Sequence, residues 1–267
     1  MPTNIIVCGA AGRMGKLLVS LVREHPQMQL VGAIEAPGHS ALGKDAGEVA
    51  GIGPVGLKIS HDYGAVAAPD NVTLDFTVAE AALEHLRTAV VRGAAIVIGT
   101  TGLSAEQQAE AEKIAPETRA LIAPNMSVGV NVLLKVVADV ARILREGFDP
   151  EIVEIHHRFK VDAPSGTALA LGRAIAAAQG KDFEQVATLA RQGITGQRTN
   201  EAIGIMALRG GDVVSDHTVI FAGFGERLEL IHRAQSRECL ARGALRAALW
   251  LPKQQPGLYS MTDVLGL

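Results

Sequence analysis

Short, continuous apolar runs alternate with helix-like stretches along the first half of the chain. Apolar strands are predicted at residues 4–8, 29–35, 72–76, 94–98 and 119–123. The segments between several of these strands have helical periodicity, as over residues 79–92. Parallel strands that are buried on both faces have this continuous apolar pattern, and helices connect them. The pattern therefore predicts an α/β domain with a parallel sheet over residues 1–127.

The hydrophobic pattern changes after a long apolar helix, which is predicted from residue 128 to about residue 145. Extended segments are predicted at residues 151–158, 203–208, 212–222 and 226–234. Short glycine turns separate the last three of them, which favours a mixed, mostly antiparallel sheet in a smaller α+β domain over residues 128–237. An irregular connection is expected over residues 179–200. Residues 238–267 are expected to return to the first domain through a helix that begins near residue 239.

A glycine-rich turn directly follows the first predicted strand, and an acidic residue ends the second. Gly9 permits a tight turn, Gly12 lets the backbone approach a pyrophosphate, and Gly15 lets the helix pack closely. Glu35 lies twenty residues past Gly15, where its carboxylate can accept hydrogen bonds from ribose hydroxyls. The G-x-x-G-x-x-G spacing is less common than G-x-G-x-x-G. With strand, helix and acid in order, it predicts a Rossmann-type dinucleotide-binding domain.

Basic and proton-carrying side chains are concentrated in the segment EIHHRFKVDAPSGTA, residues 154–168. In a continuous strand, His156, Arg158 and Lys160 would project from the same face. Cations placed side by side repel one another, which favours an anion between them. A solvated basic strand before an ordinary helix explains fewer of these residues. Together with the dinucleotide-binding domain, the segment predicts hydride transfer to an anionic substrate, with His156 and Lys160 as candidate proton donors.

A helix start is predicted immediately after this cluster. Ser165 is a typical N-cap residue for an Ala/Leu-rich helix that runs to about residue 179. The exposed N–H groups at such a start suit a carboxylate, which Ser165, Gly166 and Thr167 would bind. Arg237, after the last predicted strand, is a further candidate for binding the negative charge of the substrate. The competing interpretation is a surface arginine at a hinge.

Composition and charge limit the possible partners. The 267 residues include 48% hydrophobic residues and carry a net charge of −3, without a long Lys/Arg run. A large core is therefore expected and a nucleic-acid partner is not. The only cysteines, Cys8 and Cys239, are expected to be buried free thiols, and no metal site is expected. Without a leader segment or a run of about 20 apolar residues, the chain is expected to be cytoplasmic, with no membrane partner.

Several motifs occur together in the order typical of one enzyme family. They are GAAGRMG at residues 9–15, GTTG at 99–102, APNMSVGVN at 123–131, EIHHRFKVDAPSGTA at 154–168 and ALWL at 248–251. Over essentially its whole length the chain resembles bacterial dihydrodipicolinate reductase. The resemblance implies reduction of 4-hydroxy-tetrahydrodipicolinate to tetrahydrodipicolinate in diaminopimelate and lysine biosynthesis, with hydride from NADH or NADPH. It also implies a homotetramer that assembles through the sheet domain.

The resemblance assigns roles to individual residues. His156 is implied as proton donor and acceptor and Lys160 as proton donor, whereas His157, Gly166 and Thr167 are implied to bind substrate. The cofactor would be lined by Gly9, Ala10, Ala11, Gly12, Arg13, Met14, Glu35, Gly99, Thr100, Thr101, Ala123, Pro124, Asn125 and Met126.

One position departs from the family pattern. Many members place an arginine directly after the acid, where it can meet the 2′-phosphate of NADPH, whereas this chain has Ala36 after Glu35. A carboxylate without that cation should repel the phosphate, so NADH is expected to be preferred, although Arg13 could partly compensate.

Two alternative functions are an aspartate dehydrogenase-like imino- or amino-acid reductase and a non-catalytic NAD-sensing regulator. The first does not explain the His-His-Arg-x-Lys segment, and the second would need a partner or DNA surface that the sequence does not show.

Overall fold

The chain divides into two compact units. The computed structural model describes residues 1–267. One unit comprises Met1–Val128 and Glu238–Leu267, and the other comprises Gly129–Arg237. No helix in either unit is both long enough and apolar enough to cross a bilayer. The cytoplasmic location stays a prediction.

The first unit contains a six-stranded parallel sheet. Its strands are β1 (Thr3–Cys8), β2 (Met28–Ile34), β3 (Asn71–Asp75), β4 (Ala95–Ile98), β5 (Arg119–Ile122) and β11 (Gly257–Tyr259). The strand order is β11-β5-β4-β3-β1-β2, and every pairing is parallel. The α/β fold that the apolar runs predict is therefore confirmed.

Helices cover both faces of this sheet. They are α1 (Arg13–Glu24), α2 (Ala46–Ala50), α3 (Ala79–Arg92), α4 (Ala105–Ile114), α8 (Glu238–Trp250) and α9 (Met261–Leu265). Successive residues of a strand point to opposite faces. Accordingly, Ile5 packs in one core with α1 and α8, whereas Ile6 packs in the other with α3 and α4. The hydrophobic pattern did not predict α2, α9 or β11, because each has only three to five residues and shows too little periodicity.

The second unit contains a five-stranded mixed sheet with helices on it. Its strands are β6 (Phe148–His156), β7 (Ala187–Thr188), β8 (Ile203–Arg209), β9 (Ser215–Gly223) and β10 (Glu226–Ala234). Its helices are α5 (Val128–Leu144), α6 (Gly166–Ala178) and α7 (Phe183–Val186). The helices α5 and α6 share one core with β6, β8 and β9. The expected irregular connection begins with the short elements α7 and β7.

The strand order corrects one expectation. Because the order is β10-β9-β6-β8-β7, β6 lies between β8 and β9, and Gly210-Gly211 does not form a hairpin. Strands β6, β9 and β10 pair antiparallel as expected, whereas β8 runs parallel to both β6 and β7, so the sheet is mixed but not mostly antiparallel. The cause is α6, which carries the chain back along the sheet so that the next long strand starts from the same end as β6.

Candidate functional site

The glycine loop after β1 has no room for side chains at its tightest points. Gly9 has a φ of +77°, and a Cβ atom added at Gly15 would lie 2.0 Å from the carbonyl oxygen of Gly9. A Cβ at Gly12 would lie 3.1 Å from the same oxygen. Helix α1 begins without a side-chain cap at Gly12 and without an acidic residue in its first turn. The exposed helix start fits a pyrophosphate group, which backbone N–H groups bind at a helix N-terminus.

Glu35 lies beside this loop, just beyond the end of β2. Its Oε1 accepts a hydrogen bond of 2.8 Å from the backbone N–H of Ala11, and its Oε2 accepts one of 3.2 Å from Ala36. Both carboxylate oxygens are therefore held by the backbone. A negative charge is fixed at the place where the sequence predicts a ribose-binding acid.

A turn that the sequence interpretation missed lies next to the 99–101 loop. The Oδ1 of Asp75 accepts hydrogen bonds from the backbone N–H of Thr77 at 2.9 Å and from its hydroxyl at 2.6 Å. The Thr100 hydroxyl donates to the Thr77 carbonyl at 3.1 Å. A Cβ at Gly99 would lie 2.2 Å from the Phe76 ring. A lone acid at the end of an apolar strand was the available signal for this turn.

The 123–126 loop is held by α8. A Cβ added at Gly243 would lie 1.7 Å from the carbonyl oxygen of Met126. The side chain of Asn125 accepts a hydrogen bond of 2.9 Å from the Ser127 N–H. The C-terminal helix therefore supports one of the predicted cofactor loops, which the sequence pattern alone did not indicate.

Three potential metal ligands lie close together beneath these loops. Ligand atoms of Cys8, Asp75 and His85 lie within 4.8 Å of one another. The His85 Nδ1 and the Asp75 Oδ2 already form a hydrogen bond of 2.5 Å. Burial, and then the charges of Asp75 and Glu35, raise the pKa of the Cys8 thiol, so it is a poor ligand. We infer that this group supports the turn between β3 and α3.

The other cysteine, Cys239, was expected to be buried but is partly exposed.

The histidine cluster of the second unit lies at the end of β6 rather than along a continuing strand. After His156 the chain turns, and the Lys160 N–H donates to the His157 carbonyl at 3.0 Å. The expected alternation of His156, Arg158 and Lys160 on one strand face is therefore wrong. The Lys160 ammonium instead donates to Asp162 at 2.8 Å. His157 is partly buried, and its Nδ1 has no hydrogen-bond partner.

His156 is nearly buried and hydrogen-bonded to an acid. Its Nδ1 lies 2.6 Å from the Oε2 of Glu154, whose side chain is fully buried. Burial lowers the pKa of His156, and the charges of Lys160 and Arg209 add to this, whereas Glu154 opposes it. The sequence interpretation did not assign a role to Glu154 or Arg209.

Helix α6 starts as predicted. The Ser165 hydroxyl accepts a hydrogen bond of 3.2 Å from the Ala168 N–H, which makes Ser165 the N-cap. The same hydroxyl lies 3.0 Å from the Nε2 of His217. No atom lies within 4 Å of a Cβ added at Gly166, so the helix start has open space there. Thr167 is partly buried in the first turn of α6, and Arg237 is the partly buried last residue of this unit.

His217 should make the stability of the protein depend on acid. Burial, and then the neighbouring His156, lower its pKa to about 4. A lowered pKa in the folded state means that the unfolded chain binds the proton more tightly. The stability that neutral His217 contributes to the folded protein is therefore complete above the unfolded-state pKa near 6.5, and it is lost as the pH falls toward 4. From this residue we expect the free energy of unfolding to fall by about 2–3 kcal/mol over that range.

Denaturant unfolding at several pH values checks this expectation. The variant His217→Gln should show a shallower decline of unfolding free energy with acid, whereas His61→Gln, which changes an exposed histidine, should decline like the wild type. Equal slopes in all three proteins would contradict the assignment.

Comparison with known proteins gives consistent matches over the whole chain. The family model described as "Dihydrodipicolinate reductase, N-terminus" matches residues 3–126, and the one described as "Dihydrodipicolinate reductase, C-terminus" matches residues 129–265. A 4-hydroxy-tetrahydrodipicolinate reductase of Syntrophobacter fumaroxidans is 54% identical, with 98% of each chain covered. The protein of that name from Geobacter sulfurreducens is 50% identical, with 99% of each chain covered.

Solved structures share the fold. The dipicolinate-bound dihydrodipicolinate reductase from Paenisporosarcina sp. TG-14 matches with a TM-score of 0.76 at 22% identity, covering 98% of this chain and 99% of that one. An amine dehydrogenase from Mycobacterium smegmatis matches with a TM-score of 0.61 at 16% identity, covering 98% and 95% of the two chains. At these identities the likeness describes the fold alone.

Proposed function

This chain belongs to the dihydrodipicolinate reductase family, and on that premise we propose that it reduces 4-hydroxy-tetrahydrodipicolinate to tetrahydrodipicolinate. The reaction is a step of diaminopimelate and lysine biosynthesis. The observation that carries the proposal is the His156–Lys160 segment, which lies between the end of β6 and the start of α6 in a chain whose first unit has a dinucleotide-type glycine loop. The relatives' names support an enzyme over an NAD-sensing regulator and over a different imino-acid reductase.

The first unit provides the cofactor site in this proposal. The bound pyridine nucleotide supplies the hydride. The N–H groups at the start of α1 bind the pyrophosphate, and the Glu35 carboxylate accepts hydrogen bonds from ribose hydroxyls. The other contacts come from the glycine loop and from the loops after β4 and β5. The full set is Gly9, Ala10, Ala11, Gly12, Arg13, Met14, Glu35, Gly99, Thr100, Thr101, Ala123, Pro124, Asn125 and Met126.

The second unit binds the substrate and provides the proton. The overall reaction takes up one hydride and one proton and releases the 4-hydroxyl group of the substrate as water, and the Lys160 ammonium donates the proton that hydride addition requires. The neutral imidazole of His156 polarises the substrate and exchanges a proton with it. The start of α6 binds a substrate carboxylate through the N–H groups of Gly166 and Thr167, while Ser165 holds that helix start in shape. His157 and Arg237 supply further polar contacts to the dicarboxylate.

Absorbance at 340 nm tests the proposed reaction directly. The substrate is generated in the cuvette by dihydrodipicolinate synthase from pyruvate and aspartate semialdehyde. A loss of NADH absorbance that requires both enzymes supports the proposal. If folded protein binds NADH but oxidises none of it in the complete mixture, the proposed substrate is wrong.

We expect NADH to be the preferred cofactor. The backbone fixes the Glu35 carboxylate on both oxygens, and no cation follows it in the chain, so the 2′-phosphate of NADPH meets an unneutralised negative charge. The kcat/KM for NADH should therefore exceed that for NADPH. In the variant Ala36→Arg the ratio should move toward NADPH by about tenfold, which corresponds to one interaction of about 1.4 kcal/mol. Comparable efficiency of the wild type with NADPH would contradict this prediction.

We also expect a homotetramer that assembles through the second unit. The edge strand β10 leaves apolar side chains in solvent, with Leu228 and Ile231 exposed to 40% and 48%, and Phe224 stands fully exposed in the turn before it. Leu228 and Ile231 project from opposite faces of this strand, so apolar surface is exposed on both sides of the sheet edge, which is typical of a subunit contact. Size-exclusion chromatography with light scattering should give about four times the 27.9 kDa chain mass. Ile231→Glu should reduce that mass, and a monomeric wild type would refute the prediction.

A further inference from the structure

We propose that the buried Glu154 and the partly buried Arg209 form a positioning pair that fixes the ring of His156 and anchors the turn that carries Lys160. Neither residue is assigned to substrate or cofactor. Both act through the two residues to which the proposed function gives the proton chemistry, so the inference rests on that function and deepens it.

Glu154 connects three parts of the second unit. Its Oε2 accepts hydrogen bonds from His156 at 2.6 Å and from Arg209 at 2.8 Å. Its Oε1 accepts from Arg209 at 3.0 Å and from the Ser165 N–H at 3.0 Å. A side chain on β6 thereby joins β8 and the start of α6 without any exposure to solvent. Such a fully hydrogen-bonded carboxylate holds its partners at set positions.

Arg209 extends the network to the lysine. It lies opposite His156 in the pairing of β6 with β8. Besides its fork to Glu154, its guanidinium donates a hydrogen bond of 2.6 Å to the backbone carbonyl of Asp162. The Asp162 side chain in turn accepts the 2.8 Å bond from Lys160. The guanidinium is thus hydrogen-bonded both to Glu154, the partner of His156, and to Asp162, the partner of Lys160. A planar guanidinium with several N–H donors can make these bonds at the same time.

The carboxylate determines which ring nitrogen of His156 carries hydrogen. Burial raises the pKa of Glu154, but hydrogen bonds from Arg209, His156 and the Ser165 N–H outweigh it, so the group is ionised. An ionised carboxylate only accepts hydrogen bonds. The Nδ1 of His156 must therefore be the donor, and Nε2 is left as the nitrogen that can exchange a proton with a substrate. The same carboxylate stabilises the imidazolium when Nε2 takes up a proton, as in other acid–histidine pairs.

The charges around His156 come from four elements. Glu154 belongs to β6, Lys160 to the turn after it, and Arg209 to β8, while His217 of β9 stacks edge-on at a ring distance of 5.3 Å. Glu154 is the one acid among them. Its removal leaves His156 facing cations and another histidine, so the protonated ring loses its counter-charge.

Nitrogen-15 NMR of histidine-labelled protein tests the inference without any substitution at the pair. The His156 signals are assigned by their loss in His156→Gln. The neutral ring should carry its hydrogen on Nδ1 in the wild type. A ring that carries its hydrogen on Nε2 would overturn the proposal, whether or not any variant folds.

Paired substitutions on β6 separate positioning from general support. In Glu154→Gln we expect kcat to fall by about 10- to 100-fold, the loss found when the carboxylate partner of a metal-bound histidine is removed. The pKa of His156 should fall, and the acidic limb of the kcat profile should move to lower pH. Glu151→Gln is the matched control, because this glutamate of the same strand also pairs with arginines, Arg191 and Arg198, but does not touch a histidine. Its kcat, pH profile and His156 signals should stay at wild-type values.

The outcomes distinguish this inference from the proposed function. An equal loss of kcat in both variants, with unchanged His156 signals, would mean that the pair supports the fold only, and the inference would be wrong. If Glu154→Gln does not fold, Arg209→Lys replaces it. That variant should keep hydrogen on Nδ1 but lose about tenfold or more in kcat, and a normal kcat would count against the pair. A wild type with no turnover refutes the proposed reaction, whereas the NMR result still decides the position of the hydrogen.

Discussion

Replacing Lys160 by alanine should lower kcat by about 10²- to 10⁴-fold, the contribution that a positioned general acid typically makes. In barrier height this is about 3–5 kcal/mol. The physical reason is that hydride addition leaves negative charge on the substrate, and the proposed function assigns the compensating proton to the Lys160 ammonium, which donates a hydrogen bond to Asp162. His156→Gln should produce a loss of the same order, because glutamine can hydrogen-bond to Glu154 but cannot carry the proton.

The measurement is steady-state kinetics at saturating NADH, with NADH binding and unfolding followed for each variant. Lys135→Ala is a matched control, since Lys135 pairs with Asp139 on α5 much as Lys160 pairs with Asp162. It should keep wild-type kcat. Near-normal kcat in Lys160→Ala or in His156→Gln would remove that residue from the proton chemistry, and a loss in Lys135→Ala would point to an indirect effect.

Gly15→Ala should destabilise the first unit and abolish NADH binding. The added methyl group would lie 2.0 Å from the Gly9 carbonyl oxygen and 2.7 Å from the Ala10 Cα, both of which are backbone atoms that cannot rotate away. Overpacking of this kind typically costs 1–3 kcal/mol, and contact with fixed backbone places this variant at about the upper end. To make room, the glycine loop must move away from α1, which displaces the N–H groups to which the proposed function assigns the cofactor pyrophosphate.

Thermal unfolding and NADH titration check this prediction. Gly64→Ala is the control, because a Cβ there meets no atom closer than 3.5 Å and should change neither measurement. Gly12→Ala should be intermediate, since its Cβ would lie 3.1 Å from the same Gly9 oxygen. We expect this variant to fold and to bind NADH more weakly. Wild-type stability and binding in Gly15→Ala would contradict the close packing of the loop on the helix.

Several elements were predictable from the sequence because their hydrophobic or capping patterns are local. The apolar runs of β1, β3, β4 and β5 were readable because a parallel strand is buried on both faces and needs no partner to show its character. Helix α3 was predicted with its observed bounds, Ala79–Arg92, because its hydrophobic periodicity is local. The N-cap at Ser165 was found for the same reason, since a cap depends on the residues that immediately follow it.

These local patterns did not predict the short elements or the turn at Asp75. Strand β11 has three residues and exists because it pairs with β5. The turn at Asp75 was also missed, because its role comes from Thr77 and Thr100, the second of which is 25 residues away. Such features depend on which strands become neighbours, and hydrophobic periodicity does not contain that information.

Hydrophobic patterning and motif spacing were enough to predict a parallel α/β sheet with a glycine loop in the first half, and a basic segment before α6. They could not predict that β8 runs beside β6, because the return path of α6 sets the strand order. That pairing brings Arg209 to Glu154 across 55 residues of chain. The physical reason is general: patterning reports whether a residue is buried, whereas hydrogen-bond partners of a buried charge are set by distance in space.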